Sequence, residues 1–188
     1  MQQQTAARPT IAVDAAAVVG LALLTALAAQ ISVHLPNDPV PQTLQTFSVL
    51  GGTAWLGARR GLLSMGLYVM MGLVFPVYAG GAHGWSVISG ATGGYLAGFM
   101  FAGIVTGWIC DRFGTRYLVT VPALLLGSAA IYVPGLLWFH HVYPNWSFVI
   151  HYGFTVFVVG DLLKIAAAAA MLDPATPWGR LLERYRLA

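Results

Sequence analysis

The sequence predicts an all-α integral membrane protein, a bundle of six transmembrane helices with both termini in the cytoplasm. Three observations support this class: the composition, six long apolar runs, and the placement of the arginines. Of the 188 residues, 58% are hydrophobic and only 8% are charged, whereas about 25% of residues are charged in an average soluble domain. The length fits a single membrane domain over residues 1–188, without room for a separate soluble domain.

Six apolar runs supply the predicted helices, since about 20 apolar residues cross the hydrocarbon layer. The second and third runs are short, and only five residues, from Gly57 to Gly61, separate them. We interpret this segment as a tight hairpin, because one continuous helix would bury Arg59 and Arg60 at a high energetic cost. The runs are Ile11–Val33, Leu44–Ala58, Leu62–Phe75, Ser86–Ile109, Tyr117–Phe139 and Phe148–Leu172.

Positive charge falls on alternate connections of this six-helix arrangement. Arginines precede the first run, lie between the second and third and between the fourth and fifth, and follow the sixth. The three opposite connections contain no lysine or arginine, so the positive-inside rule places both termini in the cytoplasm. The segment around Ala26–Ala28 also resembles a signal-peptide cleavage site. The apolar character continues to Val33, which favours a retained first helix.

The last run carries an acid and the one lysine of the chain, in the segment Gly160–Lys164. Asp161 and Lys164 are three positions apart and share a helix face, where they can neutralise each other. Ionisable residues within a membrane are costly, so they usually face inward, form pairs and serve a function. Two interpretations stay open at this point: a structural ion pair between helices, and a pair that meets a polar ligand in a cavity.

Two connections on the side opposite the arginines have unusual compositions. Residues 35–43 contain three prolines within six positions and are expected to be stiff and extended. Residues 75–85 combine aromatic side chains with glycines. Non-helical backbone at membrane depth is tolerated where it lines a cavity, so we expect these segments to form walls or a lid of an outward-facing pocket.

Small residues recur every four positions in two helices. Gly90, Gly94, Gly98 and Ala102 form such a stripe in the fourth run, and Ala22 and Ala26 belong to another in the first. These stripes indicate close helix contact, within the chain or with a partner.

The sequence gives little support for a metal site, a catalytic site or a nucleic-acid-binding surface. Cys110 is the single cysteine, His140 and His141 are adjacent rather than one helical turn apart, and no metal or protease motif is present. We therefore expect no metal, no catalytic residue and no cofactor. The net charge of +3 is spread over several loops, which favours lipid headgroups over nucleic acid as partners.

Six short motifs occur in the order found in a known family. They are Pro39–Thr46 (PVPQTLQT), Gly57–Gly61 (GARRG), Tyr68–Gly72 (YVMMG), Pro76–Gly81 (PVYAGG), Thr92–Phe99 (TGGYLAGF) and Gly160–Lys164 (GDLLK). Together they resemble the BioY family, the biotin-specific substrate-binding component of energy-coupling factor (ECF) transporters. One departure is Gly90-Ala91-Thr92, where the family often has a proline in the middle position.

The resemblance implies a six-helix bundle in the cell membrane that binds biotin near its extracellular face. It implies that Asp161 and Lys164 contact the ureido ring of biotin. Aromatic rings, close backbone approach and a lid loop are the further contacts that we expect from it. The candidate residues for them are Tyr78 and Tyr95, Gly80, Gly81 and Gly94, and Gln42, Thr43 and Gln45.

The resemblance also implies partners. Ala22 and Ala26 are expected to face a transmembrane coupling subunit, which works with two cytoplasmic ATPases, and the sequence itself contains no phosphate-binding loop motif. Two other functions stay open: capture of another heterocyclic vitamin, and a secondary carrier that needs no ATPase. An intramembrane enzyme is disfavoured because the catalytic spacings are missing.

Overall fold

The computed structural model describes residues 11–33 and 38–184. Arg8, Arg186 and residues 34–37 of the proline-containing segment therefore lie outside the described chain. The elements, in order, are α1 Ile11–Gln30, β1 Ser32–Val33, β2 Gln42–Thr43, α2 Gln45–Leu56, α3 Ala58–Met71, a 3₁₀ turn Ala79–Gly81, α4 Trp85–Ser89, α5 Gly93–Phe113, α6 Tyr117–Val142, α7 Trp146–Ile150, a π-helical turn His151–Thr155, α8 Val156–Leu172 and α9 Pro177–Arg184. The all-α class is confirmed.

The expected number of membrane spans is wrong. Within the described ranges, four helical segments are long and apolar enough to cross a membrane: Ile11–Gln30, Gly93–Phe113, Tyr117–Val142 and Trp146–Leu172. The second and third apolar runs fold into α2 and α3, of 12 and 14 residues. At about 1.5 Å per residue these helices are far shorter than the roughly 30 Å hydrocarbon core. These two helices therefore do not support the six-span count. The assignment of both termini to the cytoplasm rests on that count.

The hairpin between α2 and α3 is tight because of two glycines. Gly57 ends α2 with φ +84°, a conformation that favours glycine. The backbone N–H of Ala58 then donates to Asp111 at the end of α5, over 2.9 Å. A Cβ atom on Gly107 would lie 2.3 Å from the Ala58 nitrogen. Only a glycine in α5 therefore allows the hairpin to approach this closely.

Helix α5 lies at the centre of the bundle, against α2, α3 and α6. Its small residues make this possible: Cβ atoms on Gly94 and Gly98 would lie 2.4 Å from the Pro134 oxygen and 2.7 Å from the Ile131 Cα of α6. Large side chains fill the buried core around it, including Leu50, Met65, Tyr68, Leu124 and Phe139. The glycine stripe of the fourth run therefore serves packing within the chain.

The arginines of the described chain gather at one end of the bundle. Arg60 pairs with Asp14 of α1 over 2.8 Å, and Arg59 lines the same groove as Asp111 and Glu183. Helix α9 is joined to this end by a hydrogen bond from Trp55 Nε1 to the Leu182 carbonyl, over 2.9 Å. The opposite end holds β1, β2, the 3₁₀ turn and α4, and the last three of these border the cavity described next.

Candidate functional site

A cavity of about 320 Å³ lies at the end of the bundle away from the arginines. Its walls come from α2 and the segment before it, from the 3₁₀ turn and α4, and from α5, α6 and α8. Most of the lining is apolar or aromatic, including Leu96, Phe99, Ile131 and Phe157. This size and character are typical of sites that enclose a small organic molecule.

Lys164 supplies the positive charge at this cavity. Its ammonium group donates three hydrogen bonds, to the Thr43 carbonyl at 2.7 Å, to Thr46 Oγ1 at 3.0 Å and to Asp161 Oδ1 at 2.9 Å. An ammonium group has three hydrogens, so each of them has an acceptor within the chain. These acceptors come from β2, α2 and α8, and Lys164 thus joins three elements.

Asp161 lies behind the cavity wall, with 4% of its surface exposed. Its Oδ1 accepts from Lys164 and from the Thr46 hydroxyl, each over 2.9 Å, and its Oδ2 accepts from the Tyr132 hydroxyl. A buried charge is stable only when it is paired and hydrogen-bonded. Both conditions are met here, by side chains from α2, α6 and α8.

The two expected tyrosines line the cavity, with their hydroxyl groups bonded to the backbone elsewhere. Tyr78 donates to the Val69 carbonyl over 2.8 Å, and Tyr95 donates to the Gly153 carbonyl over 2.9 Å. Burial raises the pKa of Tyr78 to about 12, so this side chain is neutral at physiological pH. Both residues therefore offer aromatic ring surface to a ligand rather than a free hydroxyl.

Thr43 and Gln45 also line the cavity. The Thr43 hydroxyl donates to Gln45 Oε1 over 2.8 Å, and the Gln45 amide donates to the Tyr68 hydroxyl. These bonds fix the junction between β2 and α2, directly beside the Lys164 ammonium group. The chain thus brings Thr43, Gln45, Tyr78, Tyr95 and Lys164 to one cavity.

Four other expected contact residues lie away from the cavity wall. Gln42 pairs with Val33 in the two-stranded ladder. Gly80 and Gly81 form the 3₁₀ turn with φ of 63° and 76°, while their neighbours Ala79 and Ala82 line the cavity. Gly94 makes the close contact with α6 described above. These glycines therefore shape the backbone around the cavity.

Ala22 and Ala26, the expected contacts to a coupling subunit, are 0% and 8% exposed. They belong to the buried core of the chain itself, so α1 turns them toward its own bundle. The outward face of this helix carries larger side chains instead, such as Leu23, Leu24 and Leu27. The placement of the two alanines does not favour direct contact with a partner.

Sequence reasoning missed Thr46 and Tyr132, which both line the cavity and bond to Asp161. Thr46 ends one of the six motifs, where its hydroxyl gives no indication of a partner on α8. Tyr132 lies within a long apolar run, where a buried hydroxyl needs a hydrogen-bond partner. The need for a hydrogen-bond partner is the one signal in the sequence that points to Tyr132, and this signal does not identify the partner.

The histidines do not assemble into a metal site. Within residues 11–33 and 38–184, no group of three or more His, Cys, Asp or Glu side chains is placed to hold a metal ion. His140 instead stacks on Trp146, with ring centroids 4.0 Å apart.

Comparisons with known proteins agree with one another. The model of the BioY family matches residues 1–180. A protein of Pyrococcus horikoshii named "Probable biotin transporter BioY" is 38% identical over 80% of this chain and 88% of its own. The "Biotin transporter BioY" of Thermotoga maritima is 33% identical over 73% of this chain and 81% of its own. These relatives are transport proteins, not enzymes.

A solved structure supports the same fold. The crystal structure of "the S-component for biotin from an ECF-type ABC transporter" superimposes with a TM-score of 0.79, covering 94% of this chain and 96% of the other, at 19% identity. The similarity thus extends over nearly all of both chains at low sequence identity. From the family match and these relatives, the chain belongs to the BioY family and is a membrane transport protein.

Proposed function

We propose that this chain is a biotin-binding S component of an ECF transporter that captures biotin outside the cell for uptake. The observation that carries the proposal is the Asp161–Lys164 pair, held beside an apolar cavity of about 320 Å³. A pair with only a structural role needs no cavity next to it. The names of the relatives support biotin as the ligand.

The chemistry of the pair suits the ureido ring of biotin. Such a ring offers N–H donors, which a carboxylate accepts, and a carbonyl oxygen, which an ammonium group can bind. Hydrogen bonds assisted by a full charge are the strong ones. The apolar walls and the rings of Tyr78 and Tyr95 then enclose the fused rings and the aliphatic tail. Thr43 acts from the lid segment and Gln45 from the start of α2, while Gln42, Gly80, Gly81 and Gly94 act through the shape of the backbone.

In this proposal the cavity faces the outside of the cell membrane. Support comes from the arginines, which lie at the opposite end of the bundle, since basic residues favour the cytoplasmic side. Lipid headgroups are their partners there. The proposed complex also contains a transmembrane coupling subunit and two ATPases. The protein in the similar crystal structure is itself a component of an ECF-type ABC transporter, which supports such an assembly.

Calorimetric titration of the purified protein in detergent tests the ligand. We expect biotin to bind, and thiamine and riboflavin neither to bind nor to compete. Asp161→Asn should abolish biotin binding in a protein that still unfolds cooperatively. Asp173→Asn is the matched control, because Asp173 lies in the turn after α8 and caps the Ala175 N–H over 3.0 Å, far from the cavity.

The outcomes separate the alternatives. Tight thiamine or riboflavin binding would assign the site to another heterocyclic vitamin. Biotin binding that survives Asp161→Asn would return the pair to a structural role. Uptake by cells that make this chain without coupling subunits would instead favour a secondary carrier.

A further inference from the structure

We propose that α9 is an interfacial helix that binds anionic phospholipid at the end of the bundle that holds the arginines. The contact consists of Trp178 and Leu181 together with Arg180 and Arg184. The proposal rests on the lipid contact in the proposed function, which it assigns to one element, and it does not depend on the ligand of the cavity. Three features support it: the position of α9, the residues on its exposed side, and the composition of a neighbouring connection.

Helix α9 lies where a helix long enough to span the membrane ends. That segment ends at Leu172, and α9 begins at Pro177. A Cβ atom on Gly179 would overlap the Asp173 carbonyl oxygen, so α9 packs directly against the turn between the two helices. The hydrogen bond from Trp55 to the Leu182 carbonyl also fixes it. The helix is therefore held at the level where a spanning helix leaves the hydrocarbon layer.

Only part of the α9 surface faces the protein. Gly179 is buried, and Leu182 packs against the buried core. Trp178 and Leu181 are three positions apart and share another side of the helix, where they are 68% and 45% exposed. The bundle thus leaves two large apolar side chains of α9 uncovered, next to the end of a spanning helix.

The charged residues of α9 are divided between two sides. Arg180 and Arg184 are four positions apart, share a side and are exposed. Glu183, the one acid of the helix, instead lines the groove that contains Arg59 and Arg60. The exposed side therefore carries positive charge beside its apolar residues. Tryptophan and leucine on one face with arginine on another are typical of helices that lie in the membrane interface and attract anionic lipids.

The connection between α5 and α6, at the same end of the bundle, has a similar composition. Phe113 and Tyr117 are 59% and 40% exposed, and they lie next to the exposed Arg112 and Arg116. Aromatic residues and arginines at the ends of spanning helices are typical of the headgroup layer. This connection supports a membrane surface at this end, and it offers a control with the same loss of charge.

The test uses full-length protein with a nitroxide label on Leu181→Cys, in a Cys110→Ala background. It is reconstituted into vesicles of phosphatidylcholine alone, or of phosphatidylcholine and phosphatidylglycerol in equal amounts. Electron paramagnetic resonance measures the depth of the label from its collisions with oxygen and with a water-soluble nickel complex. With phosphatidylglycerol present, we expect the label below the phosphates, deeper than in phosphatidylcholine alone. Arg180→Gln/Arg184→Gln should remove this difference in depth, and Arg180→Lys/Arg184→Lys should keep it, because the charge remains.

Arg112→Gln/Arg116→Gln is the matched control, since it removes the same charge at the same end and should leave the depth of the label unchanged. A label that the nickel complex reaches freely in both kinds of vesicle would place this side of α9 in water, as for a surface that docks a protein, and would overturn the proposal. Equal depth in both kinds of vesicle would overturn it too, because anionic lipid would then play no part. A wild-type protein that binds no biotin would overturn the proposed ligand alone, which is a distinct result.

Discussion

Lys164 and Asp161 stabilise the bundle, and this contribution can be separated from their proposed role in ligand binding. Both are hydrogen-bonded within the bundle, and the carboxylate is almost fully buried. Removal of one partner leaves the other charge buried without its counter-charge, whereas removal of both leaves no buried charge. The two roles of the pair can therefore be measured with different variants.

We expect Lys164→Met to lower the free energy of unfolding by about 3 kcal/mol, the usual cost of breaking a buried pair. The double variant Asp161→Leu/Lys164→Met should recover most of this loss, and neither protein should bind biotin. Thermal unfolding in detergent and calorimetry measure the two effects. A double variant as unstable as the single one would mean that the hydrogen bonds of Thr46 and Tyr132 dominate the local stability.

Gly72 keeps Tyr78 in the cavity wall. A Cβ atom at this position would lie 2.0 Å from Cζ of the Tyr78 ring. We expect Gly72→Ala to displace the ring, to cost about 1–3 kcal/mol as overpacked sites do, and to weaken biotin binding. Gly66→Ala in the preceding helix α3 is the control, since a Cβ there meets nothing within 4 Å. Unchanged binding by Gly72→Ala would exclude Tyr78 from the ligand contacts.

The α2–α3 hairpin depends on α5 as much as on its own turn. Asp111 accepts from the Ala58 N–H, and Gly107 leaves space for the Ala58 backbone. Gly107→Ala should therefore separate the hairpin from α5 and lower the temperature of unfolding by several degrees. Gly20→Ala is the control, because its Cβ would meet nothing within 4 Å. Equal stability of the two variants would show that the hairpin tolerates a looser contact.

The elements show what the sequence can and cannot predict. The hairpin at Gly57 was predicted, because arginines next to a glycine do not fit inside a membrane helix. The number of spans was not, because the second and third apolar runs are short, and an apolar run is buried equally well by protein as by lipid. The π-helical turn at His151–Thr155 has no signal of its own in an apolar run. Such turns are frequent at functional sites, and this one carries the Gly153 carbonyl that Tyr95 binds.

The same limit applies to the candidate site. Asp161 and Lys164 could be found because charges are rare in apolar runs. Thr46 and Tyr132 could not, since their roles depend on which helices meet at Asp161. Gly94 packs against α6, and its contact with a ligand stays a prediction, because a glycine pattern does not distinguish contact with a helix from contact with a ligand.

At the scale of the whole molecule, the separation of charge and cavity predicts an orientation. In a Cys110→Ala background, His83→Cys places a thiol at the cavity end and Ala175→Cys places one in the turn before α9; both positions are exposed. In intact cells we expect a membrane-impermeant maleimide to label the first, and to label the second only after permeabilisation. The reverse pattern would contradict an outward-facing site.

The Thr43 carbonyl has a consequence for the speed of binding. It accepts one of the three Lys164 hydrogens, so under the proposed function a ligand carbonyl replaces an acceptor that the chain itself supplies. The acceptors on α2 and α8 are held by helices, whereas Thr43 belongs to a two-residue strand. Under the proposed function we therefore expect exchange at Thr43 to precede tight binding, and association to be slower than diffusion. In stopped-flow experiments the observed rate should level off as the biotin concentration rises, at the frequency with which this strand releases the lysine.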